Sequence, residues 1–278
     1  MQGKLRKMIT DLSDTVQYRL PLVQSDNSTS LYIDMNNLIG KNIRLSYQGD
    51  ITCVACGDKT KKSYSQGHCY MCMKSLPECD MCIMKPETCH YAAGTCRDSV
   101  WGEEHCMQKH FVYLANSSGL KVGITRGTQV PTRWMDQGAV QALPIFQVKN
   151  RLMSGLLEMV IKKHMSDKTD WRKMLKGIVE DIDLKSKRNE IFETCKDEIE
   201  ALRQEHGVDA LTVLTDSDPV DINYPVNEYP EKVKSFNFDK TSEIEGKLNG
   251  IKGQYLILDT GVLNIRKFTG YNVALEHD

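Results

Sequence analysis

Apolar and polar positions alternate with a period of two through the first fifty residues. The clearest runs are Val16-Gln17-Tyr18-Arg19-Leu20, Ser30-Leu31-Tyr32-Ile33-Asp34 and Asn42-Ile43-Arg44-Leu45-Ser46-Tyr47, with breaks at Asn36-Asn37 and Gly40. β-branched and aromatic residues at that period predict strands. The middle of the chain changes period. Two short apolar strands are expected around Tyr113 and Val122, followed by a helix that Pro131 suits as its first position. Leu152, Leu156 and Val160 then recur at i, i+4 and i+8, flanked by Met153, Leu157 and Ile161. That stripe predicts a helix from Arg151 to Met165. A very polar helix is expected over Ser186 to His206, stopped by Gly207. Pro219, Pro225 and Pro230 mark an extended connecting arm laid over the surface. Two apolar runs, 254–258 and 262–266, flank Asp259-Thr260-Gly261 and read as a hairpin. The pattern is α+β, in five segments: a β segment 1–50, a cysteine-rich module 51–110, an α/β domain 111–180, an acidic helix and arm 181–245, and a C-terminal hairpin 246–278.

The chain has 278 residues, 40% hydrophobic and 26% charged, enough to bury one large core or two moderate ones. No run of 18 apolar residues is present, so no membrane span is expected. The basic start Met1-Gln2-Gly3-Lys4-Leu5-Arg6-Lys7 is not followed by an apolar segment, and the cytoplasm is the expected compartment. There, cysteines are expected as thiols or metal ligands rather than disulfides. The net charge of -1 hides a split: 111–176 carries 11 Lys+Arg against 4 Asp+Glu, whereas 180–245 carries 8 against 18. A basic segment suits phosphates and an acidic one a solvated surface, although the two also suit each other across an interface.

Nine of the ten cysteines lie between Cys53 and Cys106. Cys53-x-x-Cys56 and, twelve residues on, Cys69-x-x-Cys72 form two knuckles at the separation that a tetrahedral zinc site requires. Cys79, Cys82, Cys89, Cys96 and Cys106 form a second group with less regular spacing. Zinc held by Cys79, Cys82 and two of the later three is one reading, and an iron–sulfur cluster is the other. Few aliphatic residues surround these cysteines, so metal ligation would supply the folding energy the segment lacks.

Residues 112–133 carry Val112-Tyr113-Leu114-Ala115, then Lys121-Val122-Gly123-Ile124-Thr125-Arg126, then Arg133. This resembles the GIY-YIG nuclease superfamily, in particular its branch whose second motif reads KIGIT. The resemblance implies that Tyr113 ends a first strand, Gly123 lies on a second, Arg133 stands on the next helix, and Glu158 on a later helix holds a divalent cation. Mg²⁺ or Mn²⁺ on that carboxylate would hold a scissile phosphate, with arginine stabilising the developing charge. The tyrosine would position the attacking water or, if neighbouring cations lowered its pKa, deprotonate it. Lys121 replaces the second tyrosine of the pattern, and Trp134-Met135-Asp136-Gln137 stand where a histidine is expected. Over nearly its full length the chain also resembles an uncharacterised bacterial family with this cysteine segment, then YLA…GLKVGIT…DQGA, then 250–257.

Three readings follow. One is a metal-dependent nuclease acting on DNA or RNA, with Tyr113, Arg133 and Glu158 as catalytic residues and Lys121 and Arg126 contacting nucleic acid. The second is a zinc protein that binds nucleic acid without turnover, with Tyr255, Arg266, Lys267 and Phe268 as further contacts. The third is a structural or redox-responsive metal protein.

Overall fold

The computed structural model describes residues 1–24, 29–165 and 168–278. In chain order the N-terminal strands are β1 (Gln2–Leu5), β2 (Ile9–Asp11), β3 (Gln17–Val23), β4 (Ser30–Asp34) and β5 (Asn42–Thr52). The cysteine segment carries β6 (Lys59–Thr60) and three short helices, α1 (Tyr70–Ser75), α2 (Met81–Met84) and α3 (Ser99–His105). The central part runs β7 (His110–Asn116), β8 (Leu120–Arg126), α4 (Thr132–Asp136), β9 (Gln141–Val148) and α5 (Arg151–Ile161). It continues through α6 (Trp171–Leu175), α7 (Leu184–Thr194), α8 (Lys196–His206), β10 (Leu211–Val213) and β11 (Val220–Asp221). The chain ends with β12 (Glu243–Lys252), β13 (Tyr255–Leu258), β14 (Gly261–Asn264) and β15 (Tyr271–His277). The fold is α+β, and no helix among the described residues is long and apolar enough to cross a membrane.

Both ends of the chain build one sheet, ordered β14-β13-β12-β5-β15-β1-β3-β2, with β4 added to β3 and β6 to β5. Its alternation is the one the sequence carries: Tyr18, Leu20 and Leu22 on β3, Ile43 and Leu45 on β5, and Tyr271, Val273 and Leu275 on β15 all point into the core. The last strand lies beside the first, with Gly3 opposite Val273. A Cβ on Gly3 would come within 2.9 Å of Leu22 Cβ and Val23 O, so the third strand packs there only against a glycine.

The second sheet is ordered β10-β9-β7-β8, with β11 beside β9. Its strands send alternate residues to opposite faces. Val112 and Leu114 pack under α5, α7 and α8 with Met153, Leu157, Ile191 and Ile199. Tyr113 and Ala115 face the other way, into the core of the first sheet, together with Trp134 and Met135 of α4. The two sheets therefore share buried residues at α4.

Four details depart from the sequence pattern. The polar helix breaks at Cys195 into α7 and α8, and the thiol is buried with Ile191 and Ile199 on the helical side of the second sheet. The helix from Arg151 ends at Ile161 rather than Met165. The final hairpin strand ends at Asn264, whose side chain accepts from Lys267 N and caps a single turn over Ile265–Phe268. Finally, the connecting arm is anchored rather than superficial: Ile222 and Phe238 are buried in the shared core.

Candidate functional site

The first cysteine quartet lies where β5 leaves the sheet. Cys53 N–H donates to Asp58 O at 2.8 Å and Val54 N–H to Gly67 O at 3.0 Å, which closes the loop between the knuckles. Gly67 sits at φ +98°, and a Cβ there would lie 2.5 Å from Val54 Cγ1. The sulfurs of Cys53, Cys56, Cys69 and Cys72 all lie within 4.8 Å of one another. Cys56 and Cys69 are 3.8 Å apart, close to the edge of a tetrahedron with metal–sulfur bonds of about 2.3 Å. Cys69 N–H donates to Cys53 Sγ at 3.2 Å and Cys72 N–H to Cys69 Sγ at 3.5 Å. Burial raises the Cys53 pKa, but backbone N–H groups of Cys56, Cys69 and Ala55 outweigh it and bring the thiol down to about 6. Burial and the neighbouring thiols push Cys72 the opposite way. Four sulfurs this close favour a cation that accepts all of them as thiolates. The quartet could hold a metal such as zinc.

The second group divides differently from the sequence reading. Cys79 does not join the later cysteines: it lies outside both the first quartet and the cavity that the others line, with Ser65, Arg97 and Cys53 near its thiol. The cause is the turn over Pro77–Cys79, which ends before Asp80 caps α2 and turns Cys82 inward. Cys82, Cys89, Cys96 and Cys106 instead line one cavity with Asp80, His90, Arg97 and Trp101. Burial, then the adjacent Asp80, pushes the Cys82 thiol up to about 12. Burial also raises Cys106, against the pull of Arg151. A further close group, His164, Cys195 and Glu198, has its carboxylate engaged by Lys163 at 2.6 Å.

The third constellation is built on β7, β8, α4 and α5. Tyr113 of β7 pairs with Gly123 of β8. A Cβ on Gly123 would lie 2.7 Å from both Cζ and Oη of Tyr113, so only glycine lets the ring cross β8 towards the sheet edge. There the hydroxyl donates to Gln137 Oε1 at 3.0 Å. Arg133 of α4 is near enough to the same hydroxyl to favour its ionised form, and Glu158 of α5 is near enough to oppose it. Trp134 packs edge-on to the Tyr113 ring at 5.9 Å. Lys121 Nζ donates to Gln137 Oε1 at 2.9 Å and Thr169 Oγ1 at 2.7 Å, nearly buried. Lys162, one turn on from Glu158, stands 3.6 Å from its carboxylate.

Burial drives the Tyr113 pKa up to about 12, more than Arg133 brings it down, and Glu158 adds to the rise. The tyrosine therefore keeps its proton at neutral pH, and deprotonation of water by a tyrosinate is corrected to a hydroxyl that donates and orients.

The structure thus draws Tyr113, Arg133, Glu158 and Lys121 into one cluster and places Arg126 apart from it. Arg126 ends β8 and acts on Cys106, His110 and Arg151, at the second cysteine group. Phe268 is buried and Tyr255 stacks on Trp171 at 5.9 Å, so neither ring is free for bases. Three further residues join the cluster: Gln137 and Asp136, to which the sequence reading assigned no role, and Arg266, expected only as a nucleic-acid contact. Gln137 accepts from both Tyr113 and Lys121. Arg266 is held by Gln66 of the first cysteine loop at 2.7 Å and lies close enough to Arg133 and Asp136 to interact with their charges. Asp136 takes Lys7 and, at 2.8 Å, Gln254 Nε2. The signal for two of them was the DQGA run itself.

A family model described as protein of unknown function (DUF2797) matches residues 40–273. The chain belongs to this family. The match takes in both cysteine groups and the cluster around Tyr113. No curated protein and no solved structure matches the chain.

Proposed function

We propose that the protein acts on nucleic-acid phosphodiesters at the Tyr113–Arg133–Glu158 cluster, with the 53–72 cysteine quartet holding a structural zinc. The observation that carries this reading is the convergence on one hydroxyl: Tyr113, Arg133 and Glu158 come from three different elements and meet at the β8 edge. The GIY-YIG resemblance stated for these residues, and the basic balance of 111–176, support it. Arg133, partly exposed, is the group to stabilise charge on phosphate oxygens. Tyr113 and Gln137 form a fixed donor–acceptor pair that orients what Arg133 binds. Glu158 fits a Mg²⁺ or Mn²⁺ ligand in having one partly accessible carboxylate, the number such ions commonly take from protein when phosphate supplies the rest. Such an ion would supply Lewis-acid activation of the phosphate. Lys162 neutralises the carboxylate otherwise.

The test is cleavage of labelled single- and double-stranded DNA and RNA with Mn²⁺. Arg133→Ala is expected to slow cleavage by about 10²–10³-fold with the fold intact. A second reading, binding without turnover, is favoured by the protonated Tyr113 and by Lys162 on Glu158. It predicts retarded migration without cleavage, a steep loss of binding with salt, and indifference to Glu158→Ala.

A further inference from the structure

Cys82, Cys89, Cys96 and Cys106 are spaced by six, six and nine residues, with no two-residue knuckle among them. They come from α2, the end of the Pro86–Thr88 turn, a loop, and the end of α3. The cavity they line leaves about 10 Å³ open to the centre of a water-sized sphere. Such a sphere keeps its centre about 3 Å from any atom, whereas zinc draws its sulfurs in to about 2.3 Å. The 53–72 sulfurs close to within 4.8 Å of one another, but the second quartet is not among the groups that do so; near it, Asp80, Cys82 and His90 are. The cavity that the four cysteines line thus leaves more room than a single ion requires.

We propose that Cys82, Cys89, Cys96 and Cys106 hold a four-iron, four-sulfide cluster, a centre separate from the 53–72 site. Four thiolates, one on each corner iron, are the ligand set such a cluster takes. The surroundings fit its negative charge. Arg151 faces Cys106, Cys82 and Cys89, and Arg126 faces Cys106. Arg97, in the cavity wall, is fixed by Asp80 at 2.6 Å. Arg151 is itself fixed, donating to Ile83 O at 2.6 Å, with its backbone N–H on Cys106 O at 2.8 Å. Trp101, stacked on His105 at 4.2 Å, covers the cavity with an apolar ring. The cluster would pin the start of α5, because the Pro86–Thr88 turn packs directly on Gly155.

The test is iron, acid-labile sulfide and zinc content of the full chain, purified without oxygen and reconstituted with iron and sulfide. About four irons and four sulfides per chain are expected, with a broad visible absorption, beside about one zinc. Cys89→Ser and Cys106→Ser should lose the iron and the colour but keep the zinc. Cys56→Ser should lose the zinc and keep the iron, and Cys79→Ser should keep the iron. Two zincs and no iron, or no iron after reconstitution, would overturn the proposal, as would iron retained in both Cys89→Ser and Cys106→Ser. The content of the unsubstituted chain decides it even if a variant fails to fold.

Discussion

A methyl group on Gly123 would meet the Tyr113 ring and hydroxyl at 2.7 Å. Gly123→Ala must therefore push the fully buried Tyr113 ring off Gln137. The expected result is a loss of about 1–3 kcal/mol in urea unfolding, with any activity of the cluster falling more than stability alone explains. Lys252 makes the opposite case. It is fully buried, its ammonium has no hydrogen-bond partner among the described residues, and the Tyr224 and Tyr229 rings lie 5.5 and 5.3 Å from it. Burial lowers its pKa from 10.5 to about 8. Between those values the unfolded lysine holds its proton and the folded one has released it, so this group makes stability rise with pH across that window. Lys252→Met should stabilise the protein at pH 7 by about 1–2 kcal/mol. That advantage should shrink as pH climbs from 8 to 10, and an unchanged or destabilised variant would mean the tyrosine rings compensate the charge in full. Neither position announced itself in the sequence. Gly123 entered only as part of a motif, and Lys252 sits in a strand pattern where its period marks a face without saying that both faces are covered.

At the scale of elements, α5 joins the cysteine segment to the Tyr113 cluster. Ala normally stabilises a helix over Gly by about 1 kcal/mol. At Gly155 the sign should reverse, because a Cβ would stand 2.3 Å from Glu87 N and 2.6 Å from Pro86 C, both backbone atoms that cannot turn aside. Gly155→Ala is expected to lower the unfolding midpoint, and a raised midpoint would show that the Pro86–Thr88 turn does not rest on α5. Strands and the α5 helix were legible because period two and period 3.6 act locally, although the apolar side chains it buries are Met153, Leu157 and Ile161 rather than the stripe Leu152, Leu156 and Val160. The break at Cys195 was not legible, since it depends on where Ile199 finds the core after the turn. The grouping of the later cysteines was equally hidden. Spacing joined Cys79 to Cys82, but after the Pro77–Cys79 turn only Cys82 lines the cavity shared with the later cysteines.

Across the whole molecule, the first and last strands share one sheet, and that sheet presses on the Tyr113 face of the second through α4. Gln254 makes the joint: it exchanges hydrogen bonds with Met8 and donates to Asp136, while Arg266 reaches Gln66 in the first cysteine loop. Strand-rich ends were readable in the pattern, but their pairing across some 270 residues leaves no local trace. This architecture sets Arg133 between the first cysteine loop, reached through Arg266 and Gln66, and the β7–β8 edge. Glu158 and Arg133 are proposed to act together on a phosphodiester there. The most direct measurement of this is the Mn²⁺ dependence of nucleic-acid cleavage by the full chain, by Glu158→Asp and by Glu158→Ala. The account predicts saturable cleavage, a half-saturating Mn²⁺ concentration raised in Glu158→Asp, and no cleavage in Glu158→Ala. Cleavage unchanged in Glu158→Ala, or none by the parent chain on any of the four substrate types, would contradict it.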